Sequence, residues 1–144
     1  MTAFKLTIDK QNIAHLVFNL PNEKVNKLQK KVLKELEAVL NKLKNNKKIK
    51  LLQIKSSKKN IFIAGADIAE IKDIKERKAA FEIVRQGQDI LSKFTQLPFP
   101  TMAVIDGACM GGGTELVLCC DFRVMTDNPK AKIGLPEVNL GIIP

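Results

Sequence analysis

The chain is 144 residues long, enough for one domain with a packed core. Its apolar fraction of 45%, with charges of both signs interspersed, describes a globular domain, and no apolar run reaches the length of a bilayer span. The net charge of +9 admits nucleic acid or anionic metabolites as partners. However, the densest basic run, Lys42 to Lys50, holds no aromatic residue, and the chain has no Trp or Tyr, so platforms for stacking bases are scarce. Most of the lysines read as a solvated face.

Residues Met1 to Asp9 alternate apolar and polar side chains and lack the basic start and apolar block of a secretory signal, so a cytoplasmic location is expected. Phe4, Leu6 and Ile8 form the apolar side of a first strand; a turn at Lys10 to Asn12 leads to a second, Ile13 to Phe18. Pro21-Asn22 breaks the pattern. Leu28, Val32, Leu33, Leu36, Val39, Leu40 and Leu43 fall on one face of a helix, with Asn26 as its expected N-cap. Ile49 to Ile54 reads as a buried strand, Ser56 to Asn60 as a polar loop, and Phe62 to Asp67 as an apolar segment interrupted by Gly65.

A second long helix is predicted from Lys75 to Gln96, with Phe81, Val84, Ile90, Leu91 and Phe94 near one face and Pro98 and Pro100 ending it. Thr101 to Ile105 is another strand, Gly107 to Gly113 a glycine-rich turn, Thr114 to Cys120 a helix and Phe122 to Met125 a strand. The order is an α/β pattern in one domain, residues 1–144, without an internal linker. The apolar finish, Ile142-Ile143-Pro144, carries the expectation that more protein follows.

Three cysteines, Cys109, Cys119 and Cys120, two of them adjacent, do not suggest a disulfide framework. No Cys-x-x-Cys pair occurs and His15 is the single histidine, so no metal site is expected, and His15 reads as an ordinary strand residue. Three glycines, Gly111 to Gly113, between a strand and a helix expose main-chain N–H groups that favour negative charge. Neither a Walker A loop nor a Gly-x-Gly-x-x-Gly register is present. Glu115 would lie in the first turn of the following helix. Glu137, after Pro136 at the expected start of a short helix, has apolar neighbours, which suit a carboxylate to proton transfer near neutrality.

Ala64-Gly65-Ala66-Asp67-Ile68, then Gly107 to Glu115, then Gly134 to Gly141, in that order, closely resemble the three signature stretches of the crotonase, or enoyl-CoA hydratase/isomerase, superfamily. Asn22 to Leu28 resembles the family's segment after the second strand, and the match covers essentially the whole chain. It is most similar to the N-terminal hydratase part of multifunctional fatty-acid oxidation α-subunits, and Asp127-Asn128-Pro129-Lys130 looks like a longer hairpin found in some of them.

The resemblance implies the N-terminal part of a repeated ββα spiral that adds water to 2-enoyl-CoA thioesters. Backbone N–H groups of Ala66 and Gly112 would form an oxyanion hole. Glu115 would activate the water, Glu137 would protonate the α-carbon, and Ala64, Ala66, Asp67 and Ile68 would hold coenzyme A, through main-chain groups at the adenine. The Asp67 side chain itself reads as a helix N-cap.

Coenzyme A would be part of the substrate, with no separate cofactor. The partners implied are an acyl-CoA, not nucleic acid or a membrane span, and an oligomer or multienzyme complex. Alternatives are Δ3-Δ2 isomerisation using Glu137 alone, a thioester hydrolase, or an acyl-CoA-binding fragment with impaired catalysis, because the family's later helices are missing.

Overall fold

A computed structural model describes residues 2–72 and 76–144. Strands β1 (Phe4–Ile8) and β2 (Ile13–Phe18) pair antiparallel through the predicted turn. Asn12 takes a left-handed conformation at φ 65° there, and the Asp9 carboxylate accepts from the N–H groups of Gln11 and Ile13. Helix α1 (Lys30–Lys44) then buries Val32, Leu36, Leu40 and Leu43 and crosses to β3 (Leu51–Ser56), which lies parallel to β2. The predicted apolar face of α1 is therefore the core face.

Asn26 is not its N-cap. Gln29 occupies that position without a side-chain hydrogen bond, and Asn26 is fully buried elsewhere. The β3 strand also begins two residues after the predicted Ile49, since Ile49 N–H closes a turn onto the Asn46 carbonyl.

From β3 onward the chain repeats one unit three times. Each pass sends one strand to a five-stranded sheet and the next to a three-stranded sheet, then adds helix. The first pass is β3, β4 (Asn60–Ile63), α2 (Ile68–Lys72) and α3 (Arg77–Ser92). The second is β5 (Thr101–Ile105), β6 (Gly107–Met110) and α4 (Gly112–Leu118). The third is β7 (Phe122–Met125), β8 (Lys132–Gly134) and a 3-10 turn, Pro136–Leu140. The large sheet runs β1-β2-β3-β5-β7 and the small one β4-β6-β8, parallel everywhere except β1. Leu52, Ile54, Ala103 and Ile105 are buried in the middle of the large sheet, as parallel strands require.

Several expectations are corrected. The first part of the glycine-rich turn, Gly107 to Met110, is a strand. Gly107 faces Asn60 on β4 so closely that a Cβ would sit 2.2 Å from the Asn60 carbonyl carbon. Segment 127–130 is not a hairpin between paired strands, because β7 and β8 belong to different sheets. Asn128 instead ties the crossing point together through Asn60 and Asp106.

The helix expected from Lys75 begins at Arg77, with Lys75 outside the described residues, and it ends at Ser92. Ile90, Leu91 and Phe94 of its predicted face are buried, but Phe81 is 70% exposed and Val84 58%. No helix among the described residues is long and apolar enough to cross a membrane.

Candidate functional site

Two turns at neighbouring strand ends of the small sheet meet. β4 runs out through Ala64 into Gly65, whose φ of 105° turns the chain toward Ala66. β6 runs out into Gly111, at φ 53°, which opens α4. The two glycines face each other: a Cβ on Gly111 would lie 3.7 Å from the Gly65 Cα, and one on Gly65 would lie 3.3 Å from the Met110 carbonyl oxygen. One residue further along each turn, a Cβ on Gly112 would lie 3.7 Å from the Ala66 nitrogen. A side chain on Gly65 would press on the Met110 carbonyl, and the positive φ of Gly65 and Gly111 disfavours any side chain at either position.

The peptide units preceding Ala66 and Gly112 are each anchored by their carbonyl. Leu28 N–H donates to the Gly65 oxygen at 2.9 Å, and Thr114 and Glu115 N–H groups donate to the Gly111 oxygen at 2.7 and 3.1 Å. In a trans peptide the N–H points opposite to the C=O. Fixing those carbonyls therefore fixes the directions of the Ala66 and Gly112 N–H groups. The bridge between Leu28 and Ala66 uses Leu28 and Asp67 N–H as donors, which leaves Ala66 N–H out of that ladder. Gly112 is the first residue of α4, so its N–H has no acceptor within the helix.

Both predicted glutamates stand at these turns. Glu115, in the first turn of α4, has Oε2 3.4 Å from the Cβ position of Gly112. Glu137, on the 3-10 turn with Pro136 ahead of it, has Oε1 2.7 Å from the Cβ position of Gly111. It is 9% exposed, and its Oε2 is buried without a hydrogen-bond partner among the described residues. Burial pushes the Glu115 carboxyl above its usual range, and the Glu137 charge adds to the rise.

Asp67 accepts from Ala69 N–H at the start of α2, as an N-cap does, and also holds Gln29 Nε2 at 2.7 Å and Lys27 Nζ at 3.1 Å. The Gln29 hydrogen bond, followed by that of Lys27, lowers its carboxyl from the usual range. Ala64, Ala66 and Ile68 are exposed along the same turn.

Sequence reasoning passed over four residues that build this site. Leu28 packs against Gly112, its Cδ1 being 3.2 Å from the Gly112 Cβ position. The Thr114 hydroxyl lies 2.8 Å from the Gly134 carbonyl and 3.0 Å from that of Cys109; the Gly134 carbonyl also accepts from Gly111 N–H at 2.9 Å. The segment that carries Glu137 is thereby fastened to the turn that carries Glu115. Gln29 and Asn26 support the other turn. A threonine directly after three glycines was the available signal for Thr114.

The family model for enoyl-CoA hydratase/isomerase matches residues 9–144. The chain belongs to the enoyl-CoA hydratase/isomerase family. Among its relatives, proteins named fatty acid oxidation complex subunit alpha from Vibrio vulnificus and Vibrio campbellii are 44% and 43% identical over 99% of this chain. The chain spans 20% of the length of each of those relatives.

Solved structures of enoyl-CoA hydratases from Bacillus anthracis and Shewanella pealeana superpose with TM-scores of 0.89 and 0.88 at 28% and 26% identity. The match covers 99% of this chain and 54% and 52% of theirs. The alternating delivery of strands to two sheets is thus the N-terminal part of the crotonase-like architecture.

Proposed function

We propose that this chain carries the hydratase site that adds water across the 2,3 double bond of a 2-enoyl-CoA in fatty-acid β-oxidation. The observation that supports this reading is the meeting of the Gly65–Ala66 and Gly111–Gly112 turns beside Glu115 and Glu137. Attack of water on the β-carbon pushes negative charge onto the thioester oxygen, and the Ala66 and Gly112 N–H groups hold that oxygen. Glu115 takes a proton from the attacking water while Glu137 gives one to the α-carbon. One proton is taken and one given, so proton exchange between the two acids restores the pair. Main-chain groups of Ala64 to Ile68 hold the coenzyme A adenine.

Δ3-Δ2 isomerisation needs only one acid to carry a proton between carbons. The presence of both Glu115 and Glu137 beside the two turns favours hydration over that second reading. The names of the Vibrio relatives favour membership of a multienzyme complex, which in turn fits a cytoplasmic location.

The test is turnover of crotonyl-CoA, followed as loss of the conjugated enoyl absorbance. Glu115→Gln and Glu137→Gln should each lower kcat by about 10²-fold or more while leaving coenzyme A affinity nearly unchanged. Near-normal turnover in both variants overturns the reading. Acyl-CoA binding without turnover in the unaltered chain would identify a binding fragment instead.

A further inference from the structure

Asn26 is fully buried and bonded on every side. Its Oδ1 accepts from Leu20 N–H at 2.8 Å, and its Nδ2 lies 3.1 Å from the Phe18 carbonyl, 3.0 Å from Ser56 Oγ and 3.1 Å from the Phe62 carbonyl. Two amide hydrogens are therefore shared among three acceptors. Its main-chain carbonyl accepts from Ala64 N–H at 2.8 Å. The residue thus grips the end of β4 on both sides of Ile63, at Phe62 with its side chain and at Ala64 with its backbone.

Two residues on, Leu28 N–H takes the Gly65 carbonyl at 2.9 Å, and the Leu28 carbonyl accepts from Asp67 N–H at 3.4 Å. Residues 26–28 and 62–67 form a short ladder, and Asn26 is its first rung. The opposite end of the segment is held separately: Lys58 Nζ donates to the carbonyls of Leu20 and Glu23 at 2.9 and 2.7 Å. Loss of the Asn26 carboxamide would remove the side-chain hold on Phe62 at the start of that ladder, leaving main-chain bonds alone to carry the approach to Ala66, and would deprive the Phe62 carbonyl of that donor.

We infer that Asn26 is a positioning residue: through this ladder it sets the direction of the Ala66 N–H, and with it the hold of that donor on a thioester oxygen. The second half of the inference rests on the function proposed above. Asn26 touches no reacting atom, and a hydrophobic residue of its size would fill the same space without the side-chain bonds to Phe18, Leu20, Ser56 and Phe62.

The experiment compares Asn26→Ser and Asn26→Asp with Leu40→Ala, which empties a fully buried core position toward the other end of α1. Amide proton–nitrogen spectra read the turn directly. The Ala66 and Asp67 resonances should move in both Asn26 variants and stay in place in Leu40→Ala. Butyryl-CoA with a carbon-13 thioester carbonyl reads the donor. Its infrared carbonyl band should fall on binding the unaltered chain and return toward the free position in Asn26→Ser. In parallel, kcat on crotonyl-CoA should drop by about 10²-fold and KM should change by less than about threefold.

Unmoved Ala66 and Asp67 resonances in the Asn26 variants, or an equal displacement in Leu40→Ala, overturn the inference. If the Asn26 variants fail to fold, hydrogen exchange in the unaltered chain decides. The Asn26 side-chain amide and the Ala64 N–H should be protected to the same degree, and free exchange of the former beside a protected Ala64 overturns the ladder. If the carbonyl band of the unaltered chain does not move, the hydratase reading fails, and the amide spectra still decide the positioning role.

Discussion

The Glu137 Oε1 atom lies 2.7 Å from the point that a Cβ on Gly111 would occupy. A carboxylate can pack that close to a main chain only where no side chain stands. The position of the acid and the absence of a side chain at residue 111 are therefore one structural fact. Gly111 also holds a φ of 53°, which L side chains adopt with strain.

Gly111→Ala should accordingly displace Glu137 and cost about 1–3 kcal/mol of stability. Under the proposed function it should also lower crotonyl-CoA hydration by about 10²-fold. Denaturant unfolding and turnover measured together check both parts. An alanine variant of wild-type stability and activity would show that Glu137 is free to stand elsewhere.

Glu115→Gln should stabilise the fold at neutral pH while lowering turnover. The folded-state pKa of Glu115 is raised by burial and by the Glu137 charge. As pH climbs from the unfolded carboxyl value toward that raised value, the unfolded chain loses its proton first and the native state loses stability. Below this window both forms of the residue are neutral, so the advantage of glutamine should vanish there. Tm of the two proteins across pH 4 to 8 measures the difference; a constant gap would point to packing instead of charge.

Thr114→Val should cost about 1–2 kcal/mol, because it leaves the Cys109 and Gly134 carbonyls without their buried hydroxyl donor. Since Gly134 leads into the segment of Glu137, under the proposed function hydration should fall more than coenzyme A binding does. Thr114→Ser should restore most of both. Parallel unfolding and kinetic measurements on the two variants test this.

Phe81→Ser should change stability by less than about 0.5 kcal/mol, despite the place of Phe81 in the predicted helical stripe, because its ring is 70% exposed. A loss as large as that of a core phenylalanine would mean that the α3 face is covered in solution.

That stripe illustrates what the sequence could and could not convey. Periodicity located α1 and its core residues correctly because the face from Val32 to Leu43 is buried along its length. The same periodicity in α3 joined buried Ile90 and Leu91 to exposed Phe81 and Val84, since a pattern of spacing carries no information about which face meets a partner. β4, β6 and β8 went unread because each carries a turn-type residue at one end, Asn60, Gly107 and Gly134, whereas the equally short β7 carries none. β6 is also built of Gly107, Ala108, Cys109 and Met110, small or flexible residues chosen for close approach to β4 and not for strand propensity.

The glutamates and the two glycine turns were visible as motifs, and the structure brings them together. Asn26 was misread for a physical reason. Asparagine near a helix start is usually a local cap, and only long-range contacts show that its bonds go to Phe18, Ser56 and Phe62.

The bond from Leu28 N–H to the Gly65 carbonyl has an electronic effect beyond geometry. Drawing electron density toward the carbonyl oxygen depletes the nitrogen at the other end of the same amide and makes its proton more acidic. Under the proposed function, the Ala66 donor is then strengthened through the main chain of Leu28 and not by a side chain. Replacing the Leu28 amide by an ester would dim it without altering any side chain.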